Sequence, residues 1–377
     1  MDLGLSEEQE ILKRSAREFL AEECPKEKVR ELDESDEGYS PELWKKIADL
    51  GWLGVVFPEE YGGSNGSFMD LVILLEMMGY NILPGPFFST VILAGLPILN
   101  AGNDDQKKQY LSKISSGEAI LTLALTEPSI SYEASSISTK ATAKDGQYII
   151  NGTKLFVPDA NVADYILCVA RTKETSNPEE GISIFIVDAK SLGIKCTLLK
   201  TLAHDKQNEI IFKDVTVPKE NILGGLDQGW PIIKDLLEKA AVAKCAEMVG
   251  GTQAALEMSV QYANERTQFG RPIGTFQAIQ HYCANMLIDV DGSRYITYEA
   301  AWKISENLPA TKETSMAKAW VSDASQRVTM LGHQIHGAMG FTMEHDMHLY
   351  YRRAKAAAQA FNDSDYHREI VAREIGL

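Results

Sequence analysis

The sequence predicts a multidomain α+β protein in which a helical N-terminal domain and a C-terminal helical bundle flank a middle β barrel or sandwich. Three observations carry this. Residues 6–117 repeat their apolar side chains at helical spacing, and residues 119–217 break into short β-branched and aromatic runs between turn pairs. From Trp230 onward long amphipathic stretches return. The predicted domains are 1–118, 119–228 and 229–377. Helices, then strands, then helices is not the order of a doubly wound sheet. No G-x-G-x-x-G follows a strand either, so a Rossmann-type cofactor site is disfavoured. A crevice between a bundle and a β domain is the expected place for a cofactor.

The N-terminal helices carry explicit start and stop signals. Ser6-Glu7-Glu8-Gln9 has the form of a capping box, and the helix it opens places Ile11, Leu12, Ala16, Phe19 and Leu20 on one stripe. Pro25 stops it. Ser40-Pro41 starts another, with proline in the first turn, where its missing N–H does no harm. Tyr61-Gly-Gly-Ser-Asn-Gly-Ser67 reads as a connector, since a phosphate-cradling loop needs a preceding strand and a lysine. Asp70 to Met78 is an apolar helix. Leu83-Pro-Gly-Pro86 then breaks the chain before a buried helix over Phe87–Leu99, too short to span a bilayer.

In the middle segment the predicted strands are Tyr148–Ile150, Lys154–Val157, Tyr165–Ala170, Ile182–Val187 and Glu209–Phe212. Asp145-Gly146 and Asn151-Gly152 read as turns between them. The C-terminal helices are predicted at 230–265, 273–305 and 312–337. No internal repeat or low-complexity run interrupts the chain.

The formal net charge is −16 over 377 residues, a field that repels nucleic acid. The densest basic run, Arg352-Arg353-Ala354-Lys355, is short and fits a solvated helix face. Five cysteines, odd in number and scattered, read as reduced and mostly buried thiols. His333, His336, His345 and His348 cluster in sequence, but only helical neighbours such as His345 and His348 would point together. No carboxylate completes a ligand pattern, so no metal is predicted. The acidic N-terminus argues against a secretory or mitochondrial leader, no run suits a membrane, and the expected location is cytoplasmic.

Three strings carry a resemblance. They are Leu125-Thr126-Glu127-Pro128, with Tyr148-Ile-Ile-Asn-Gly152-Thr-Lys154 at its expected distance; Glu265-Arg266-Thr-Gln268-Phe269-Gly270-Arg-Pro-Ile273 with Phe276-Gln277-Ala278; and Gln334-Ile-His-Gly337-Ala-Met-Gly340-Phe341. In order, over essentially the whole chain, they resemble the acyl-CoA dehydrogenase family. The resemblance implies a C-terminal four-helix bundle, FAD as cofactor, an acyl-CoA substrate and an electron-transfer flavoprotein as electron acceptor. It also implies a homo- or hetero-oligomer, a dimer or tetramer, in which the Arg266 and Gln334 regions reach the FAD of a neighbouring subunit. The cofactor-binding residues it assigns are Leu125, Thr126, Phe156, Val157, Arg266, Gln268, Phe269, Gln277, Gln334 and Gly337. The residue types suit the task. A guanidinium meets a pyrophosphate with a planar pair of donors, a threonine at a strand end offers a hydroxyl and an amide, and Gly337 and Gly340 permit close backbone approach.

The chain also departs from the family. Relatives carry a catalytic glutamate just before a Gly-Thr near the C-terminus. Comparison through Arg352–Lys355 and Ile370–Glu374 puts Phe361 there. A second glutamate position used by some relatives falls on Ala240, and the arginine that commonly follows it is Ala241. Where the family often reads Trp-Ile-Thr, this chain has Phe156-Val157-Pro158, and a proline offers neither an amide nor a hydroxyl. Ser129-Ile-Ser-Tyr132-Glu133 replaces a small, glycine-rich run, which alters the CoA side. Asp363 and Asp365, expected in a loop, and Glu247, expected as a buried carboxylate on an apolar helix, are candidate replacement bases. Glu238 points elsewhere. A solvated acid or a helix cap is the plainer reading of each, and Asp363 is preferred, followed by Glu247. Two readings compete: a dehydrogenase with a displaced base, and a non-catalytic subunit that completes the FAD site of a hetero-oligomer. A third is a flavoprotein of the same fold with another reaction, such as an oxidase. Pro84-Gly-Pro-Phe-Phe88 fits either a pocket floor or plain core.

Overall fold

The computed structural model describes residues 4–377. They form two compact units, each discontinuous in sequence: residues 30–66 with 84–240, and 67–83 with 241–377 and the stretch up to Val29.

Helix α1 (Glu7–Glu23) begins at the predicted capping box, with the Ser6 hydroxyl accepting from the Gln9 amide and the Gln9 side chain accepting from the Ser6 amide. Ala16 and Leu20 are fully buried while Ile11 is half exposed, so the packed stripe is narrower than the apolar pattern. Pro25 separates α1 from α2 (Lys26–Glu34), and Ser40 caps α3 (Pro41–Asp49). Helix α4 (Phe68–Asn81) opens on Ser67 and wholly buries Leu71 through Leu75, each contributing about 1.5–3 kcal/mol of transfer free energy. It also buries Glu76, whose carboxylate would be prohibitively costly alone. Lys13 Nζ at 3.0 Å, Arg294 Nε at 3.2 Å and the Tyr298 hydroxyl at 2.5 Å satisfy it. The buried helix foreseen after Pro86 is present, but its first part is a π-helix (Phe88–Gly95) that runs into α5 (Leu96–Ala101). Pro97, which donates no N–H, sits at that junction. Two short pieces, α6 (Asp104–Gln106) and α7 (Ser112–Ser115), lead into the sheet.

The sheet contains β1 (Leu121–Ala124), β2 (Lys140–Lys144), β3 (Gln147–Pro158), β4 (Tyr165–Arg171), β5 (Ile182–Asp188), β6 (Ile194–Leu199), β7 (Gln207–Pro218) and β8 (Ile222–Leu223). Their order is β6-β7-β3-β2-β4-β5-β8, with β1 parallel to β4. Strands β2 and β4 pair only at Lys140 and Arg171, and residues from both sides of that joint share one core around Tyr148, Ile150, Cys168, Phe185, Ile210 and Val215. This is the sandwich form of the expected β module. One predicted turn is absent. Asn151-Gly152 lies inside the twelve-residue β3, where a register shift between Ile150 and Gly152 marks a bulge. Asn-Gly suits a bulge as well as a turn, and the equally long β7, to which the Asn151 side chain bonds through Asp214, selects the bulge. Asp145-Gly146 does turn, with φ of +50° and +79°. Strand β6 escaped the apolar pattern because most of it is exposed.

Helix α8 (Gly229–Glu265) is followed by a small hairpin, β9 (Thr267–Gln268) with β10 (Arg271–Pro272). Then come α9 (Gln277–Ser305), α10 (Thr311–His336), α11 (Met347–Gln359) and α12 (Ser364–Glu374). The three stretches predicted from the sequence lie on α8, α9 and α10. Met286, Val290, Val328, Ile335 and Met347 join Ala255 in their shared core. Helices α4 and α8 cross in direct backbone contact. A Cβ on Gly79 would come within 2.0 Å of the Glu247 carbonyl, and one on Gly250 within 1.8 Å of the Glu76 carbonyl. Only glycine fits at either place.

Candidate functional site

In the unit that carries the sheet, Leu125 and Thr126 leave the end of β1 and are both nearly buried. Their carbonyls are taken: the Leu125 oxygen accepts from Lys154 Nζ at 3.0 Å and the Thr126 oxygen from the Leu155 amide at 2.8 Å. Among the described residues, the Thr126 amide and hydroxyl have no acceptor. Beneath them lies a buried ion pair. Glu127 accepts from Lys154 Nζ at 2.8 Å, from the Ser138 and Thr139 amides at 2.9 and 3.0 Å, and from the Ser138 hydroxyl. Burial would push the Glu127 carboxyl up, but the Lys154 ammonium and these donors hold it below the usual carboxylate range. A second register shift in β3, between Lys154 and Val157, bulges the strand outward. Phe156 there has φ of +53° and a half-exposed ring, while Val157 turns into the core. Pro158 ends β3 with its carbonyl bonded to the Thr122 hydroxyl at 2.5 Å.

In the helical unit, Arg266 starts the hairpin, which turns at Phe269 and Gly270 (φ +53° and +78°). The string therefore forms a hairpin. Arg266, Gln268, Phe269, Gln277, Gln334 and Gly337 are all exposed. The Phe269 ring, 92% accessible, stands edge-on to Phe276. Tyr262 connects the two strings: its carbonyl holds the Arg266 amide and its ring stacks on His336 at 4.5 Å. Gly337 ends α10 at φ +62° with open space where a Cβ would stand, whereas Gly340 makes room for His333.

Between α11 and α12 the chain passes through two left-handed residues, Phe361 (φ +56°) and Asn362 (φ +68°). The course of this connector is fixed by its carbonyls. Lys318 Nζ donates to the Ala358 and Asn362 oxygens, both at 3.0 Å, and to the Ser322 hydroxyl at 2.9 Å. His367 Nε2 donates to the Phe361 oxygen at 2.9 Å, and the Ser315 hydroxyl faces its Nδ1. Burial pushes Lys318 down to about 8 and His367 down to about 4, so the imidazole is neutral at physiological pH. Asp363 is exposed and is the N-cap of α12, its carboxylate accepting from the Tyr366 amide at 3.0 Å. Asp365 lies in the first turn of α12 rather than in a loop and pairs with Arg368. Glu247 is not the buried carboxylate expected: its side chain is 26% exposed and paired with Lys244. Ala240 and Ala241 are buried in α8.

The histidines meet in a way sequence spacing did not indicate. His345 precedes α11, so it shares no helical turn with His348; its ring instead lies 4.5 Å from that of His336 on α10. His333 stacks on Phe341, His336 Nδ1 bonds the Gly332 carbonyl and His348 Nε2 the Met343 carbonyl, which is aromatic packing rather than a ligand set. Burial lowers both His333 and His336. Cys24, Cys168 and Cys245 are buried, Cys283 is partly so, and Cys196 is exposed on β6. Among the described residues no helix is long and apolar enough to cross a membrane.

Family models described as the N-terminal, middle and C-terminal domains of acyl-CoA dehydrogenase match residues 6–118, 122–215 and 227–376. The chain belongs to the acyl-CoA dehydrogenase family. It is 32% identical to the acryloyl-CoA reductase (NADH) of Anaerotignum propionicum over 381 residues, covering 100% of this chain and 96% of that protein. It is 34% identical over 352 residues to a subunit of the caffeyl-CoA reductase–Etf complex of Acetobacterium woodii, covering 92% of each. Butyryl-CoA dehydrogenase from Megasphaera elsdenii superposes with a TM-score of 0.93 at 29% identity over 100% of both chains.

The residues present fit the cofactor that acyl-CoA dehydrogenase membership implies. An almost buried amide and hydroxyl without acceptors, on Thr126, suit the acceptor-bearing pyrimidine edge of a flavin. The Arg266 guanidinium, exposed and without an ion pair among the described residues, suits a pyrophosphate. Pro158 adds no donor. Sequence reasoning missed the roles of Lys154, Lys318 and His367. Glu127 and Lys154 both stand in the quoted strings, but nothing in a string marks two charges 27 residues apart as partners.

Proposed function

We propose that this chain is an FAD-dependent oxidoreductase of the acyl-CoA dehydrogenase type, acting on an acyl-CoA thioester and exchanging electrons with an electron-transfer flavoprotein, and that its proton acceptor is not at position 361. The observation that carries this is the contrast between an open Thr126 donor pair and a phenylalanine on the fixed connector where relatives place their base. When bound, FAD accepts the hydride that leaves the substrate β-carbon. Leu125, Thr126, Phe156 and Val157 hold the flavin, with Thr126 donating from its amide and hydroxyl. Arg266, Gln268, Phe269, Gln277, Gln334 and Gly337 serve the FAD of a neighbouring subunit in a dimer or tetramer, in keeping with their exposure. Residues 1–118, 119–228 and 229–377 act as the three domains, in the cytoplasm. Asp363, two residues past Phe361, is the assigned proton acceptor and Glu247 the second candidate. The reductase names of two relatives support operation in the reducing sense as well.

The test is anaerobic addition of acyl-CoA to the purified, FAD-loaded chain. Bleaching of the visible flavin band is expected, with loss of bleaching but not of FAD in Asp363→Asn. Bleaching that survives both Asp363→Asn and Glu247→Gln removes both assignments.

A second reading, a non-catalytic subunit that completes the FAD site of a hetero-oligomer, is favoured specifically by Phe361 and Pro158 together. Under it the chain alone does not bleach. Bleaching by the chain alone separates the two readings, and Phe361→Glu then asks whether a base is all that a non-bleaching chain lacks. If only the base is missing, this substitution accelerates flavin reduction by about 10²-fold or more, the scale of a positioned general base. A flavin-loaded Phe361→Glu variant that stays inert supports the partner-dependent reading.

A further inference from the structure

Neither member of the Lys154–Glu127 pair reaches the surface, and neither is used in the chemistry just described. A buried ion pair is weak evidence of stabilisation, because desolvation offsets most of the attraction. Its geometry says more. Lys154 divides its donors between the Glu127 carboxylate and the Leu125 carbonyl, immediately before Thr126. Glu127, immediately after Thr126, is fixed in turn by the Ser138 and Thr139 amides. Thr126 is thus held from both sides, and its own carbonyl is turned to the Leu155 amide. With the carbonyls of this edge all engaged, its amide and hydroxyl are left as donors without acceptors among the described residues.

We propose that Lys154 and Glu127 are positioning residues for the flavin: the pair fixes the direction of the Thr126 donors without touching the cofactor. This rests on the reading that Thr126 contacts FAD, and the experiment keeps the two apart. The full chain is stripped of FAD and titrated with it, following the dissociation constant and the visible circular dichroism of the bound flavin, for Lys154→Met, Thr126→Ala and the double variant.

Each single substitution is expected to weaken FAD binding about tenfold or more and to alter the flavin dichroism. The double variant should be little worse than the weaker-binding single one, because both act on the same contact. Weakened binding in Thr126→Ala, with affinity and dichroism unchanged in Lys154→Met, overturns the positioning role while leaving the Thr126 contact standing. Fully additive losses overturn it too, since Lys154 would then act elsewhere. Unchanged binding in Thr126→Ala removes the hydroxyl contact, and the proposal with it. If Lys154→Met does not fold, Lys154→Met/Glu127→Leu removes both charges together and is read in the same way.

Discussion

Two fully buried lysines hold backbone carbonyls in this molecule, and they do so under opposite electrostatic terms. Lys154 holds the Leu125 carbonyl with a carboxylate, Glu127, beside it. Lys318 holds the Ala358 and Asn362 carbonyls with only a serine hydroxyl besides, and among the described residues no carboxylate lies within ion-pair distance of it. Burial accordingly pushes Lys318 down to about 8. One lysine neutralises a neighbour; the other is a donor set whose charge is a burden. The first underlies the edge that carries Thr126, and the second the connector that carries Phe361.

The largest test of this contrast is Lys154→Met. It leaves the Glu127 carboxylate buried and unpaired, and a loss of about 3–5 kcal/mol in urea unfolding is expected. Next comes acid. His367 is held at about 4 against an ordinary 6.5, so the unfolded chain takes up its proton first as the pH falls. The stability it confers is complete above about pH 6.5 and shrinks towards pH 4, by about 3 kcal/mol in all at about 1.4 kcal/mol per pH unit. The Glu127 contribution runs on a different scale: with its folded value below 4.5, it is present above pH 4.5 and lost only as the pH drops through that lower value. Hydrogen exchange at pH 5 should therefore show the 358–364 amides loosened and the 125–139 amides still protected. Equal loosening breaks the comparison. The smallest expected effect is that of Lys318→Met, which strands neutral carbonyls rather than a charge and should cost about 1–3 kcal/mol. A loss equal to that of Lys154→Met would mean that the missing carboxylate makes no difference.

Most of the architecture was legible because it is written locally. The Ser6 box, Ser40-Pro41, the apolar run of α4 and the long periodic stretches of α8 to α10 are each contained within a few turns. What was illegible depends on distant partners. Asn151-Gly152 is a turn signal until β7 proves long enough to pair on past it, and only the fold chooses the bulge. Glu247 reads as buried from its apolar neighbours, but its own face of α8 also carries Lys244. The histidines sit together across a loop whose path no periodicity encodes. At the candidate site the strings contain Thr126 and Arg266, the residues proposed to meet the cofactor. The lysine behind Thr126, and the lysine and histidine behind Phe361, act on main-chain oxygens, which every residue possesses and no sequence pattern distinguishes.

That reliance on main-chain oxygens separates the hold on the connector from the identity of the buried side chain at 361. The turn at 361–362 is held through its carbonyls by Lys318 and His367, so those contacts do not depend on the side chain at 361.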